Sequence, residues 1–184
     1  TNIALLFKMY PDVAKKIKAL HVMGGNYQGV GNVTKCAEFN FWYDPEAAHI
    51  VIDEIKCPLF ILPWETTLKA SEVMPHQGFR FGLMNSIPSD ILKLMDLIEE
   101  NSHYRNNFLP CDAFLIACYF FPQMIKVMKH HNVSVELTGK ETRGQMILDH
   151  RRTEIQNAHV IEEIDAEFFK KVLCAVCGHK IEGF

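Results

Sequence analysis

The sequence predicts an α/β fold in which short buried strands alternate with helices. Three observations predict it. "ALHVMGG" (19–25) is a short apolar run closed by a glycine pair, which lets a chain leaving a strand turn sharply. "CPLFILP" (57–63) is a second apolar run, bounded by prolines. Between them Asp44-Pro45-Glu46 opens a helix with a cap acceptor, a proline at the first helical position and an acid that suits the helix dipole.

The remaining elements follow in order. Thr1 is placed to cap a helix whose stripe is Ile3, Leu6 and Phe7, and Pro11 fits the first turn of a second short helix reaching about Lys18. The helix after Asp44 carries Ala47, Ile50, Val51 and Ile55 on its inner side. Residues 68–84 and 88–100 read as helices broken by "NSIPSD", with Ser89 or Asp90 as a cap. "ENSHYRNNFLP" is a polar loop, and Asp112 begins the apolar helix "DAFLIACYFF", which stops at Pro122. His130-His131 reads as a solvated turn after a basic helix end. "VSVELTG", "RGQMILDH" and "AHVIEEI" read as strands of an antiparallel ribbon or a sheet edge. Asp165 caps a last amphipathic helix with Phe168, Phe169, Val172, Leu173 and Val176 inward and Gly178 as its stop.

Composition narrows the function. The 184 residues are 48% hydrophobic and 22% charged, with a formal net charge of −3. That balance suits one globular domain or a large part of one, and gives no footing for nucleic acid or an acidic membrane surface. The longest apolar runs are about half of the ~20 residues that cross a bilayer. Six irregularly spaced cysteines in a chain of this size read as reduced thiols in a cytoplasmic protein. Cys174, Cys177 and His179 have the look of half a zinc site, but without a second C-x-x-C they read as the end of an amphipathic helix.

Three strand-to-loop exits carry polar groups: Asn26 to Asn40, Trp64 to Thr67, and the loop ending in Cys111-Asp112. Ligands of open α/β sheets bind at the carboxyl ends of strands, so their convergence would make a cleft. Glu38 and Asn40 are two apart and, on an extended segment, point the same way, toward two neighbouring hydroxyls of a ligand; the plainer reading is an exposed polar edge. Asp112 is either an N-cap or a carboxylate ligand to a hard cation such as Ca²⁺, or both. Cys111 is a proton donor or a small buried hydrophobe. His103 and Tyr104 would stack on or donate to a heterocyclic base, or are solvated loop residues.

Taken in order, "TNIAL", "VMGG", "GNVT", "AEFNFWYDPEAA", "ELTG" and "RG" resemble the inosine-uridine preferring nucleoside hydrolase family from Thr1 to about Phe169. The resemblance implies an open, mostly parallel, Rossmann-like sheet and an enzyme that splits ribonucleosides into base and ribose. It implies one Ca²⁺ that holds a water and the ribose 2′ and 3′ hydroxyls, a ribonucleoside as partner, and a homo-oligomer. Carried over by motif, Asn32, Glu38 and Asn40 are ribose contacts, Met23 lines the sugar pocket and Phe39 shields it. Asp112 becomes a Ca²⁺ ligand and Thr1 a ligand through its carbonyl.

Two departures matter. Many members have a histidine, the donor to the leaving purine, where this chain has Cys111; a subset has cysteine there. Either Cys111 donates weakly, or another group such as His103 or Tyr104 assists, or the base leaves without a strong acid. The family's acidic signature D-x-D-x-G-x-x-x-D-D is absent. The sequence is thus expected to be the C-terminal part of a single domain, lacking about 120 of ~300 residues, with its N-terminal strands missing and no activity of its own. The alternatives are a non-catalytic nucleoside- or ribose-binding relative and a plain structural domain.

Overall fold

The computed structural model describes residues 1–99 and 106–179. The chain divides into two compact units, Thr1–Thr66 with Val127–Glu163 and Thr67–Lys126 with Ile164–Phe184.

The first unit is built on a mixed, mostly parallel sheet of four strands. In chain order they are β1 (Leu20–Met23), β2 (Leu59–Leu62), β3 (Ile125–His131) and β6 (Ala158–Ile164), and their spatial order is β1-β2-β6-β3. β1 and β2 run parallel, with Leu20 opposite Leu59 and Met23 opposite Leu62, and β2 runs parallel to β6. β3 runs the other way. The Asp165 N–H donates to the Met124 carbonyl at one end, and the Asn157 N–H to the His131 carbonyl at the other. Helices α1 (Asn2–Met9), α2 (Phe39–Tyr43) and α3 (Pro45–Glu54) and an antiparallel ribbon of β4 (Val133–Val135) and β5 (Met146–Leu148) complete the unit.

Its core follows from the period-two alternation of strands. Leu59 and Ile61 of β2 and Ala158 and Val160 of β6 face the same side and pack on Phe41, Ile52, Val133, Val135 and Met146. Each large apolar side chain buried there contributes about 1.5–3 kcal/mol.

The second unit is helical. It holds most of α4 (Trp64–Ser71), a π-helical stretch His76–Leu83, α5 (Asp90–Glu99), α6 (Cys111–Phe120) and α7 (Ala166–Val176). Phe114 of α6 packs on Phe169 of α7 with ring centroids 4.4 Å apart. Arg80 is fully buried and donates to Glu99 and Asp96, each at 2.8 Å, and to Asn85 at 3.0 Å. Burial of a guanidinium is tolerable only with its charge and donors met in this way. Among the described residues no helix is long and apolar enough to cross a membrane.

Several expected elements are corrected. The helix placed at 68–84 is two pieces, because Pro75 takes an extended backbone and has no N–H to carry a helix on. α4 instead starts earlier, at Trp64, so "WETT" is a first helical turn. The short helix at Pro11 is a 3₁₀ turn, Pro11–Val13. His130-His131 is the end of β3, with His131 buried 3.5 Å from Glu162. β4 and β5 form the expected ribbon, whereas "AHVIEEI" is an interior strand of the main sheet. In α7, capped by Asp165 at 2.9 Å from the Phe168 N–H, Val176 faces solvent, while Cys174 and Cys177 are buried.

The "RG" pair explains one contact on which α2 rests. Gly144 has φ +84°, and a Cβ there would lie 2.7 Å from the Trp42 Cα. Arg143 beside it makes a two-pronged bond to Glu46 at 2.7 and 2.8 Å. Gly144→Ala is expected to destabilise the first unit by about 2–3 kcal/mol, since it adds both strain and overlap. Urea unfolding followed by tryptophan fluorescence measures it, and an unchanged midpoint would contradict the packing.

Candidate functional site

β1 ends in Gly24 and Gly25, and the second glycine is forced. Its φ is +68°, and a Cβ would lie 2.7 Å from the Met146 sulfur and 3.1 Å from the Phe41 ring. The Gly25 N–H donates to Glu38 Oε2 at 2.8 Å, and its carbonyl accepts from the Trp64 N–H at 3.0 Å. The exits of two neighbouring parallel strands are therefore tied together at their carboxyl ends.

Glu38 is 2% exposed. It is the N-cap of α2, not part of an extended segment, and its Oε2 also accepts from the Phe41 N–H at 3.3 Å. Asn40 lies within α2, yet the two side chains still meet: Asn40 Nδ2 donates to Glu38 Oε1 at 3.1 Å and to the Met23 carbonyl at 3.3 Å. Asn32 Oδ1 accepts from the Phe39 N–H at 2.8 Å. Asn32 and Glu38 thus satisfy two of the orphan donors of a five-residue helix whose aromatic sequence has little helix propensity of its own.

Two further polar side chains hold the loop before it, and the sequence reading did not single them out for this. Asn26, fully buried, donates to the Cys36 carbonyl at 2.6 Å and the Val30 carbonyl at 3.2 Å, and accepts from the Met146 N–H at 3.1 Å. Glu65, 7% exposed, accepts from the N–H groups of Tyr27 at 2.9 Å, Gln28 at 2.8 Å and Val30 at 3.1 Å. In sequence Glu65 looks like any acid in a first helical turn; only the parallel pairing of β1 with β2 brings it to the loop.

A cavity of 590 Å³ opens beside β1, α2 and α3; Thr1, Met23, Phe39 and Asn40 line it together with apolar side chains such as Val22 and Val51. Phe39 is 49% exposed and tilts against Tyr43. Glu38 is not among the lining residues and is linked to them by the hydrogen bond it accepts from Asn40. The Thr1 carbonyl accepts the Leu5 N–H at 3.0 Å and its hydroxyl donates to Asp44, which also caps α3 at the Ala47 N–H, 3.0 Å away. The Thr1 hydroxyl and the Ala47 N–H hold the Asp44 carboxyl below its usual range. For Glu38 burial wins: it raises the carboxyl above the usual glutamate value against the opposing pull of its N–H donors at Asn40, Gly25 and Phe41.

The other candidate residues lie in the second unit. Cys111 is the first residue of α6, half-buried, with its sulfur 3.8 Å from the Thr67 hydroxyl. Asp112 is exposed in the first turn and is not the cap, a position held by Pro110 without a side-chain bond. Its carboxylate is therefore not used up in capping. His103 and Tyr104 lie outside the described residues.

Ligands of open α/β sheets bind at the carboxyl ends of the strands, the edge at which backbone N–H groups hold the Glu38 carboxylate. Comparison with known proteins gives the class. The family model for inosine-uridine preferring nucleoside hydrolases matches residues 1–171, and the chain belongs to that family. It is 29% identical over 181 residues to the inosine-uridine preferring nucleoside hydrolase of Crithidia fasciculata, covering 92% of this chain and 54% of that protein. It is 32% identical over 180 residues to the pyrimidine-specific ribonucleoside hydrolase RihA of Shigella flexneri, covering 94% of this chain and 57% of that protein. Among solved structures, an inosine-guanosine nucleoside hydrolase superposes with a TM-score of 0.87 at 28% identity, over 98% of this chain and 60% of that one. A purine-preferring ribonucleoside hydrolase from Gardnerella vaginalis shares the fold, with a TM-score of 0.77 at 22% identity. The chain spans a little over half the length of the curated relatives it matches.

The raised carboxyl of Glu38 has a sign that experiment can read. A carboxyl raised in the folded state binds more protons there than in the unfolded chain, so its share of stability falls as pH rises. The penalty is absent below the ordinary glutamate pKa and complete above the raised folded one. The stability of the wild type minus that of Glu38→Gln is expected to decline across that window and then level off. A difference that grows with pH in denaturant titrations would contradict the burial cause.

Proposed function

We propose that this chain is the sugar-holding part of a ribonucleoside N-ribohydrolase, a cytoplasmic enzyme that hydrolyses the N-glycosidic bond of purine or pyrimidine ribonucleosides to base and ribose. The observation that carries the reading is the buried Glu38 carboxylate. Its Oε2 is committed to the Gly25 and Phe41 N–H groups, while Oε1 accepts from Asn40 and, as a carboxylate oxygen, has capacity for another donor. In this reading a ribose hydroxyl supplies that donor, and Asn40, which lines the cavity, offers its carbonyl oxygen to a neighbouring hydroxyl.

The chemistry of the bond suits such a site. As the base leaves, positive charge builds on the sugar in an oxocarbenium-like transition state. A carboxylate already desolvated and oriented stabilises that charge without reorganising. By the family resemblance, Cys111 stands where many members carry histidine and would be the proton donor to the departing base nitrogen. A nucleoside-binding relative without catalysis is the second reading, and cysteine at this position is what favours it.

The family resemblance also implies Ca²⁺, an ion that takes 6–8 oxygen ligands. Among the described residues no three His, Cys, Asp or Glu side chains gather into a metal-holding group. Asp112 offers one carboxylate, and the Thr1 carbonyl already accepts the Leu5 N–H. These residues do not fit a calcium ion by themselves. In the whole enzyme the remaining oxygens would come from outside them.

The test is release of ribose from inosine and uridine by the longest natural protein that contains this sequence. Wild type should release it, and Glu38→Gln should be slower on the order of 10²-fold. Cys111→Ala should slow inosine by about 10²-fold, the lower end for a lost general acid. Binding of nucleoside without release would favour the second reading, and neither binding nor release would overturn both. The 184 residues alone should show no calcium-dependent hydrolysis; measurable turnover would contradict the donor count.

A further inference from the structure

We propose that Glu65 is the positioning residue of the ribose loop, a role that rests on the functional reading above. Glu65 touches neither of the proposed sugar contacts. Its carboxylate turns away from the helix that carries it and takes three N–H groups from four consecutive residues of the β1 exit, Tyr27, Gln28 and Val30. Such a turn is normally an anion-binding concavity. Here the anion is a side chain of the chain itself, so the loop is held closed before any ligand arrives.

The hold passes on to the sugar contacts by hydrogen bonds that can be followed. Val30 is gripped at both ends, its N–H by Glu65 and its carbonyl by Asn26. The same Asn26 amide binds the Cys36 carbonyl, which precedes Ala37 and Glu38. The Ala37 carbonyl accepts the Asn32 N–H at 3.2 Å, and Asn32 caps Phe39. Gly29, at φ +75°, gives the turn a backbone shape that other residues resist. Losing the carboxylate frees three backbone donors near the core, and the loop must reopen to find water for them.

The reading explains why an acid is needed there. Glutamine keeps the size but replaces one oxygen with an NH₂ group that faces N–H donors. A residue that merely starts α4 would tolerate that exchange.

The experiment has two arms on Glu65→Gln, with Glu65→Asp as a milder variant should the first fold poorly. In the longest natural protein containing this sequence, KM for inosine and the inhibition constant for free ribose should both rise about tenfold or more, with a smaller change in kcat. Amide hydrogen exchange, read by mass spectrometry, should quicken at least tenfold over residues 27–37 and stay unchanged over β2 and β6. Wild-type KM in the variant, or exchange that quickens evenly over the sheet, would overturn the proposal. A wild type that neither binds nor cleaves nucleoside fails the functional reading and takes the ribose role with it, whereas an active wild type with an indifferent Glu65→Gln fails this proposal alone.

Discussion

The first unit depends on two buried carboxylates that accept backbone N–H groups at the carboxyl edge of the sheet. Glu38 binds Gly25 and Phe41, and Glu65 binds Tyr27, Gln28 and Val30. A loop that leaves a buried strand cannot hide its polar backbone without partners. Here the partners are charged acceptors, whose hydrogen bonds are stronger than neutral ones. The cost is desolvation of two acids, visible in the raised carboxyl of Glu38. The return is a loop that stays in one shape through many residues without regular structure.

That economy links stability to function. Sites need polar groups that are oriented and desolvated before the ligand binds, because ordering them afterwards subtracts from affinity and from transition-state stabilisation. In the proposed ribose site Glu38 meets this requirement by being at once the cap of α2, the anchor of Gly25 and the neighbour of Asn40. The same atoms that hold the fold leave one oxygen with capacity to spare. Gly25 and Gly144 complete the device, each giving passage to a neighbour where any side chain would intrude.

Much of this was legible in the sequence, and the divide is physical. β1, β2, α3 and α7 announce themselves by apolar runs and by caps such as Asp44 and Asp165, signals that act locally. The motif string was enough to point to the family. α2 was hidden because it is made by its caps, Asn32 and Glu38, and not by the propensity of "FNFWY". β3 was hidden because "IKVMKHH" mixes charge with β-branched residues, and pairing with β6 decided its state. Glu65 was hidden for a third reason. Its partners are 35 to 38 residues away, and only strand pairing brings them near.

The central claim is that Glu38 and Asn40 hold a ribose at the β1 exit. A crystal structure of the full natural protein soaked with ribose tests it most directly. Ribose hydroxyls should lie within about 2.5–3.2 Å of Glu38 Oε1 and the Asn40 side chain, with Glu38 Oε2 still on the Gly25 N–H. Ribose bound elsewhere, or a Glu38 carboxylate that meets protein donors only, would contradict it.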